Sequence, residues 1–456
     1  MTTGFERGPV TRPALSRCIS VSPDEFDRDF WGREPLLSRA ATLPEGFHDL
    51  ITEAAVDELV SERGLRTPFI RMAHEGSVLP PSSYTAPGGF GAEVGDQVSS
   101  EKVLAEFAGG ATIVLQGLHR TWPPLIDFTR HLVDDLGHPI QVNAYITPAS
   151  SRGFDPHYDV HDVFVLQIAG EKHWRIHAPV HPDPLRDQPW SDHRAAVAQA
   201  ATHEPVIDAV FHPGDALYLP RGWIHSAEAL GGTSVHLTIG VAAYTRADVV
   251  QALIASLGDV AALRSSLPAG LDFSDPNALR PVVDETLAAL QQAFAAMAGP
   301  TSSGARRGAH AAAAAAAAAE PTSETETTSP ATSMAASSPD ASVTVSTHLA
   351  ARFAAATRPE PVSPLATVDV IAALDTASRV RWRGSLHASV RLSPDGETVR
   401  IRTAAKTVSL PAEAEPAVRR LHEGGELSLA ELPGLDPASA VVVVRRLLRE
   451  GILVPA

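Results

Sequence analysis

Between residues 139 and 244 six short segments follow one another: PIQVNAYIT, DVFVLQIAG, KHWRIHAP, DAVFHPG, DALYLP and SVHLTIGVAAY. Each is rich in β-branched and aromatic residues, and Gly, Pro and Asp separate them, which predicts short strands. That many strands at this spacing predict a sandwich or jelly roll. Upstream, PDEFDRDFWG and EAAVDELVSERG pattern as pieces of helix, ATIVLQGL (111–118) as a buried strand, and PPLIDFTRHLVDDL (123–136) as a helix with proline in its first turn. Downstream, ADVVQALIASLG and PVVDETLAALQQAFAAM place apolar residues three and four apart, the helical period. Near the end, SLHASVRLSPDGETVRIRT predicts a hairpin turning at Pro394-Asp395-Gly396, and PASAVVVVRRLLRE a helix opened by Pro437 and closed by Gly451.

These elements divide the chain of 456 residues into four stretches. Residues 1–245 hold the strands and their preceding helices, and 246–299 are helical. Residues 300–364, with nine alanines at 311–319 and a Ser/Thr/Pro tract, are too poor in aromatics to bury a core and predict an unstructured linker. Residues 365–456 regain pattern, and helices beside a hairpin in so short a stretch resemble a winged-helix module. The fold class expected is α+β. No internal repeat is evident.

Composition narrows the chemistry. Hydrophobic residues make up 44% of the chain, enough for a sizeable core. The single cysteine, Cys18, excludes an internal disulfide and any zinc site built on several thiolates, so a metal would have to rest on the 19 histidines and the carboxylates. No basic-then-apolar start and no run of about 18 apolar residues is present, so the expectation is a cytoplasmic protein that does not cross a membrane. Net charge is −16, and residues 365–456 carry 12 basic against 11 acidic residues, so the acidity sits mainly in the first 300. Such a surface favours a basic partner, although acidity also serves solubility alone. The near-neutral C-terminal stretch has no basic stripe, which argues against direct nucleic-acid binding.

Candidate chemistry concentrates in NAYITPASSRGFDPHYDVHDVFVLQIAGEKHW. In His157-Tyr158-Asp159 the outer two residues project to one face of an extended chain, with Tyr158 turned away. The best third ligand is His225 in ALYLPRGWIH, 68 residues later. Two imidazoles and one carboxylate on one face of an octahedral ion leave positions open, the arrangement suited to non-haem Fe(II) holding an organic co-substrate and O₂. Lys172 follows a strand and a turn at Gly170-Glu171, a path that returns it to the same cavity as a point charge for the distal carboxylate of 2-oxoglutarate. Asn143 on the preceding strand could hydrogen-bond that co-substrate.

Each residue alone has a blander reading. An isolated His-x-Asp arises by chance, Lys172 reads as a solvated hairpin lysine, and Asn143 as a satisfied strand residue. His225 reads as a surface histidine, and His236, alternating with apolar residues, as a packed core histidine.

Taken together, NAYITPASSRGFDPHYDVHDVFVLQIAGEKHWRIH, PGDALYLPRGWIHSAEAL and SVHLTIGV resemble JmjC-type cupins, more closely their ribosomal-oxygenase branch. FDRDFWGREPLL and GATIVLQGLHRTWPPL resemble the same branch. The resemblance implies a double-stranded β-helix core with flanking helices, a helical dimerisation region over 246–299 and a C-terminal winged helix; the long Ala/Ser/Thr linker departs from the family. It implies His157, Asp159 and His225 as iron ligands, with Lys172 and Asn143 in the 2-oxoglutarate pocket. A late-strand hydroxyl common in the family has no counterpart, since the aligned position is Gly240, with Ser234 and Thr238 nearby. The function implied is an Fe(II)- and 2-oxoglutarate-dependent hydroxylase of a histidine or arginine in a ribosomal or other basic protein, acting as a homodimer. The alternatives are a tailoring hydroxylase of a small molecule or peptide, an N-methyl demethylase with the same iron site, or a non-enzymatic binding module.

Overall fold

The structure is a computed structural model that describes residues 11–91, 93–149, 151, 155–297 and 341–456. The alanine run at 311–319, the rest of the expected linker up to 340, and the Gly153 turn before the His-x-Asp motif lie outside the described residues. The chain divides into two units, residues 1–243 with 354–456, and residues 244–353.

The strands of the first unit, up to residue 243, are β1 (Leu36–Ser38), β2 (Ile70–His74), β3 (Ser77–Val78), β4 (Thr85–Ala86), β5 (Gln97–Val98), β6 (Thr112–Leu115), β7 (Ile140–Thr147), β8 (Asp162–His177), β9 (Ile207–Phe211), β10 (Ala216–Leu219) and β11 (Ile224–Val241). β4 and β5 form a separate two-stranded ribbon. In the main sheet every pairing is antiparallel, and two long strands organise it. The first half of β8 lies between β10 and the second half of β11, whose other edge carries β7. The second half of β8 lies between β9 and the first half of β11. Each long strand therefore runs through two layers, which is the double-stranded β-helix expected from the resemblance.

The crossing between layers has a local cause. Gly170 takes a left-handed φ of +63°, and a Cβ there would sit 2.1 Å from the Thr233 carbonyl oxygen. Opposite it, the register of β11 slips between Leu230 and Val235. Sequence reading expected a hairpin turn at Gly170-Glu171 and two strands. Instead the glycine bends one continuous strand, because its missing side chain lets β11 cross close by. The first half of β11, in WIHSAEAL, was not expected as a strand; its polar and small residues hide the alternation.

The first half of β8 is buried on both faces. Val163 and Val165 point to the interior, while the outer face is covered from the N-terminal segment, where Phe26 meets Phe164 and Tyr218 at ring distances of 6.0 and 4.8 Å. That double burial explains its largely apolar sequence, broken only by the buried Asp162 and Gln167. The helix Pro123–Leu136 forms where expected, with proline at its start, Gly137 at φ +70° after its end, and Leu125, Phe128, Leu132 and Val133 buried along one face.

In the C-terminal stretch, β12 (Arg379–Trp382) pairs between β16 (Glu426–Ser428) and β17 (Leu453–Pro455), and β13 (Ala388–Leu392), β14 (Thr398–Thr403) and β15 (Thr407–Pro411) make a second sheet. β13 and β14 are the expected hairpin around Pro394-Asp395-Gly396. The helices Glu415–His422 and Pro437–Arg449 close a core that includes Val399, Leu421, Val444 and Leu447. Asp436 caps the second helix, accepting from the Ala438 and Ser439 amides.

The second unit holds the helices Arg246–Ala255 and Pro276–Met297 and most of Ala341–Ala356. Pro281 lies inside Pro276–Met297. The described end of the expected linker is not unstructured. Residues 341–356 are helical, with the Arg352 guanidinium 2.8 Å from Asp248 and Phe353 edge-on to Tyr244. Alanine's helix propensity and these two contacts outweigh the polar composition. Beyond it, Glu360 accepts two hydrogen bonds from Arg381, both at 2.6 Å, so this end is anchored as well.

Candidate metal centre

His157 and His225 are neighbours in space because their main chains pair. The His157 amide donates to the His225 carbonyl at 3.2 Å, and the His225 amide returns the bond at 2.8 Å. Asp159 is fixed from the turn that precedes His225: the Gly222 amide donates to the Asp159 carbonyl at 3.0 Å, and the adjacent Arg221 amide donates to the Asp162 carboxylate at 2.8 Å. The Pro-Arg-Gly turn thus ties the distant histidine to the His-x-Asp segment. The ligand atoms of His157, Asp159 and His225 all lie within 4.8 Å of one another, with His225 Nε2 3.8 Å from Asp159 Oδ2. No other such group of three occurs among the described residues.

Both imidazoles are set up to ligate. His157 Nδ1 donates to the Asp155 carbonyl at 2.7 Å, and His225 Nδ1 to the Trp223 carbonyl at 3.1 Å. A carbonyl can only accept, so each Nδ1 carries the proton and each Nε2 keeps its lone pair for a metal. Burial, helped by His157, lowers the His225 pKa to about 4, leaving it neutral at physiological pH. Burial works against the charge on Asp159, but His161, His225, His157 and Arg71 together hold its carboxyl below the usual range. Donors about 2 Å from one divalent ion lie about 3 Å apart on adjacent corners, so the three side chains close by about 1 Å or more to hold one, and two nitrogens with one carboxylate oxygen is a donor set that fits Fe(II).

The ligands line an open cavity between the two layers. Lys172 lines it, only 3% exposed, donating to Thr147 Oγ1 at 3.2 Å and lying 3.5 Å from His236 Nδ1. Burial alone lowers its pKa to about 7. Among the described residues no carboxylate pairs with it, although an unpaired buried cation is costly. The solvated-hairpin reading of Lys172 is thereby overturned, because the strand bends at Gly170 and does not turn back to solvent.

Asn143 is placed differently from expectation. It does not line the cavity; its Oδ1 accepts from the Gly117 amide at 3.2 Å. Tyr145 and Thr147, two and four residues along β7, line it instead. Period-two counting from Asn143 would have found them. His236 is buried, as a core histidine should be, and also faces the cavity, with its ring stacked on Tyr145 at 5.1 Å and edge-on to Trp174 at 5.4 Å. Burial, then the Lys172 charge, pushes its pKa well down, so its Nδ1 can accept from the lysine. Of the late-strand hydroxyls, Thr238 lines the cavity, whereas Ser234 is taken by Gln167 Nε2 at 2.9 Å. Gly240 lies against His161 and Gln141. Arg71 on β2, whose charge reaches both Asp159 and Tyr145, carried no sequence signal.

The stretch of chain that carries these residues also matches a known domain family. The JmjC domain family model matches residues 126–249. Among curated proteins, the bifunctional lysine-specific demethylase and histidyl-hydroxylase NO66 of Aedes aegypti is 28% identical over 246 residues, covering 51% of this chain and 35% of that protein. Ribosomal oxygenase 1 of Gallus gallus is 31% identical over 220 residues, covering 48% of this chain and 35% of that one. The chain therefore aligns with about a third of the length of these relatives. Among solved structures, YcfD, a ribosomal oxygenase from Escherichia coli, aligns over 96% of this chain and 98% of its own with 14% identity and a TM-score of 0.48. The double-stranded β-helix strands from β7 to β11 and the His157–Asp159–His225 trio all fall inside the matched segment, so residues 126–249 of this chain are similar to a JmjC domain.

Proposed function

We propose that this chain is an Fe(II)- and 2-oxoglutarate-dependent oxygenase that hydroxylates a protein side chain, a histidine or arginine of a ribosomal protein. The observation that carries this reading is Lys172: a buried ammonium without a carboxylate partner among the described residues, in the same cavity as a trio of two histidines and one aspartate. A cavity with metal ligands and an isolated cation suits a ligand with a chelating end and a distal carboxylate, as 2-oxoglutarate has. Relatives named histidyl-hydroxylase and ribosomal oxygenase support the substrate class.

His157, Asp159 and His225 would hold the iron. When bound with 2-oxoglutarate and O₂, the iron supplies the oxidising power that converts a C–H bond to C–OH, with succinate and CO₂ as co-products. The residues of the chain supply the rest. Lys172 and Thr147 fix one end of the co-substrate, and the Tyr145–His236–Trp174 wall excludes water beside it. Asn143 acts indirectly, holding the Gly117 turn against β7. The protein side chain to be oxidised must be docked with one C–H bond aimed at the metal, so its orientation sets which carbon reacts.

Exposed apolar residues on the second unit, including Val250, Ile254, Val283 and Leu287, support a homodimer through these helices. The β16–β12–β17 sheet with its helices supports a winged-helix-like module at the C-terminus. Among the described residues no helix is long and apolar enough to cross a membrane, and we place the protein in the cytoplasm.

The test is incubation of the purified chain with Fe(II), 2-oxoglutarate and ribosomal proteins, followed by mass spectrometry. One added oxygen on a histidine or arginine, with matching succinate, is expected. Iron bound without any succinate from any protein substrate would sink the proposal. Loss of a methyl group from a methyl-lysine peptide would favour the demethylase named among the relatives.

A further inference from the structure

The excursion between β8 and β9, residues 178–206, is not needed to close either layer, yet it packs behind all three candidate ligands. Tyr158, the residue between His157 and Asp159, is buried and turned away from the cavity; it forms a small apolar cluster with Val197 of the helix Arg194–Ala200 and with Ile224. Ile224 directly precedes His225. The Tyr158 hydroxyl donates to the Gln188 carbonyl at 3.1 Å, and the Gln188 side chain is itself held by the Leu185 amide at 2.8 Å. On the far side, the turn residue Gly222, whose amide holds Asp159, is seated so closely that a Cβ would lie 2.8 Å from the His181 carbonyl oxygen. Its neighbour Arg221 reaches Asp183 at 3.3 Å.

Resting on the metal site assigned above, we infer that the 178–206 excursion is a positioning element for the metal centre, with Tyr158 and Val197 as the positioning residues that set the spacing of His157, Asp159 and His225. The chain of causes is short. Two ligands flank Tyr158 and the third follows Ile224, so the one cluster that buries both side chains fixes the distance between the two ligand segments. The main-chain bridge between His157 and His225 fixes their pairing but leaves side-chain orientation free. Packing of Tyr158 removes that freedom, because a side chain anchored on one side of an extended segment orients its neighbours to the other.

The experiment uses Co(II) as probe with the full chain, reading affinity and the visible absorption bands that report coordination geometry. Val197→Ala should weaken Co(II) binding about tenfold or more and change the bands. Tyr158→Phe, which keeps the packing and loses only the hydroxyl, should bind within about threefold of the unaltered chain. Val444→Ala removes the same methyl groups from the C-terminal core and should lower thermal stability without touching Co(II) binding. Co(II) affinity and bands unchanged in Val197→Ala, or altered equally by Val444→Ala, overturn the positioning role alone. Failure of the unaltered chain to bind Co(II) overturns the metal assignment and this inference with it.

Discussion

His157 and His225, far apart in sequence, exchange main-chain hydrogen bonds of 3.2 and 2.8 Å, so the two segments that carry the candidate ligands are held together by the main chain. Ligand removal should then cost metal binding and not structure. His225→Ala should leave the melting temperature of the metal-free protein close to that of the parent. In the parent, saturating Co(II) at about 100 times its dissociation constant should add about 2.7 kcal/mol of stability, and in the variant none. Thermal unfolding with and without the ion checks both arms; a large drop for the metal-free variant would show that the ring itself holds the fold.

Lys172 offers a pH signature. Burial brings its pKa in the folded, ligand-free chain to about 7, whereas an unfolded lysine titrates near about 10.4. Between those values the unfolded chain holds a proton that the folded chain has released, so this group's contribution to stability grows as pH rises through the window and is lost as pH falls back through about 7. Lys172→Met has no such dependence. In urea unfolding the variant should exceed the parent in stability near pH 7, and the gap should narrow toward pH 9.5. A gap independent of pH would contradict the burial of a charge at this position.

The same variant should lose the co-substrate. With Mn(II) bound, 2-oxoglutarate affinity measured by calorimetry should fall at least about tenfold in Lys172→Met, since a charge-assisted contact of this kind is worth about 1.5–3 kcal/mol. Unchanged affinity would move the carboxylate site elsewhere in the cavity.

How much of this was legible beforehand differs residue by residue. The His-x-Asp motif and His225 could be read because ligand chemistry restricts residue type and the Pro-Arg-Gly turn has its own signature. The helix Pro123–Leu136 could be read because proline and glycine mark its ends. Asn143 misled, since alternation tells which face a residue occupies but not how far along the strand the cavity extends. The fate of Lys172 depended on whether Gly170 turns the chain or bends it, and that is decided by Thr233, more than sixty residues away in sequence. Arg71 and the 341–356 helix take their roles from tertiary contacts that leave no local pattern.

Gly170 gives the clearest stability prediction. Alanine there faces both an unfavourable φ and a main-chain oxygen at 2.1 Å, so Gly170→Ala should destabilise by about 2–4 kcal/mol. Chemical denaturation measures it, and a cost below about 0.5 kcal/mol would mean that the two strands can separate at the crossing without penalty.

Dimer formation is tested on the second unit. Leu287→Asp places a charge on the exposed apolar face of Pro276–Met297 and should convert a dimer to a monomer in sedimentation velocity. A variant that sediments like the parent would remove this helix from the interface.

Because β8 and β11 each thread both layers, neither layer can come apart while the other stays whole. Deuterium should therefore enter the protected amides flanking Lys172 and those flanking Phe164 in one concerted opening. The layer that carries both Lys172 and His225 and the layer that faces it across the cavity would share one lifetime.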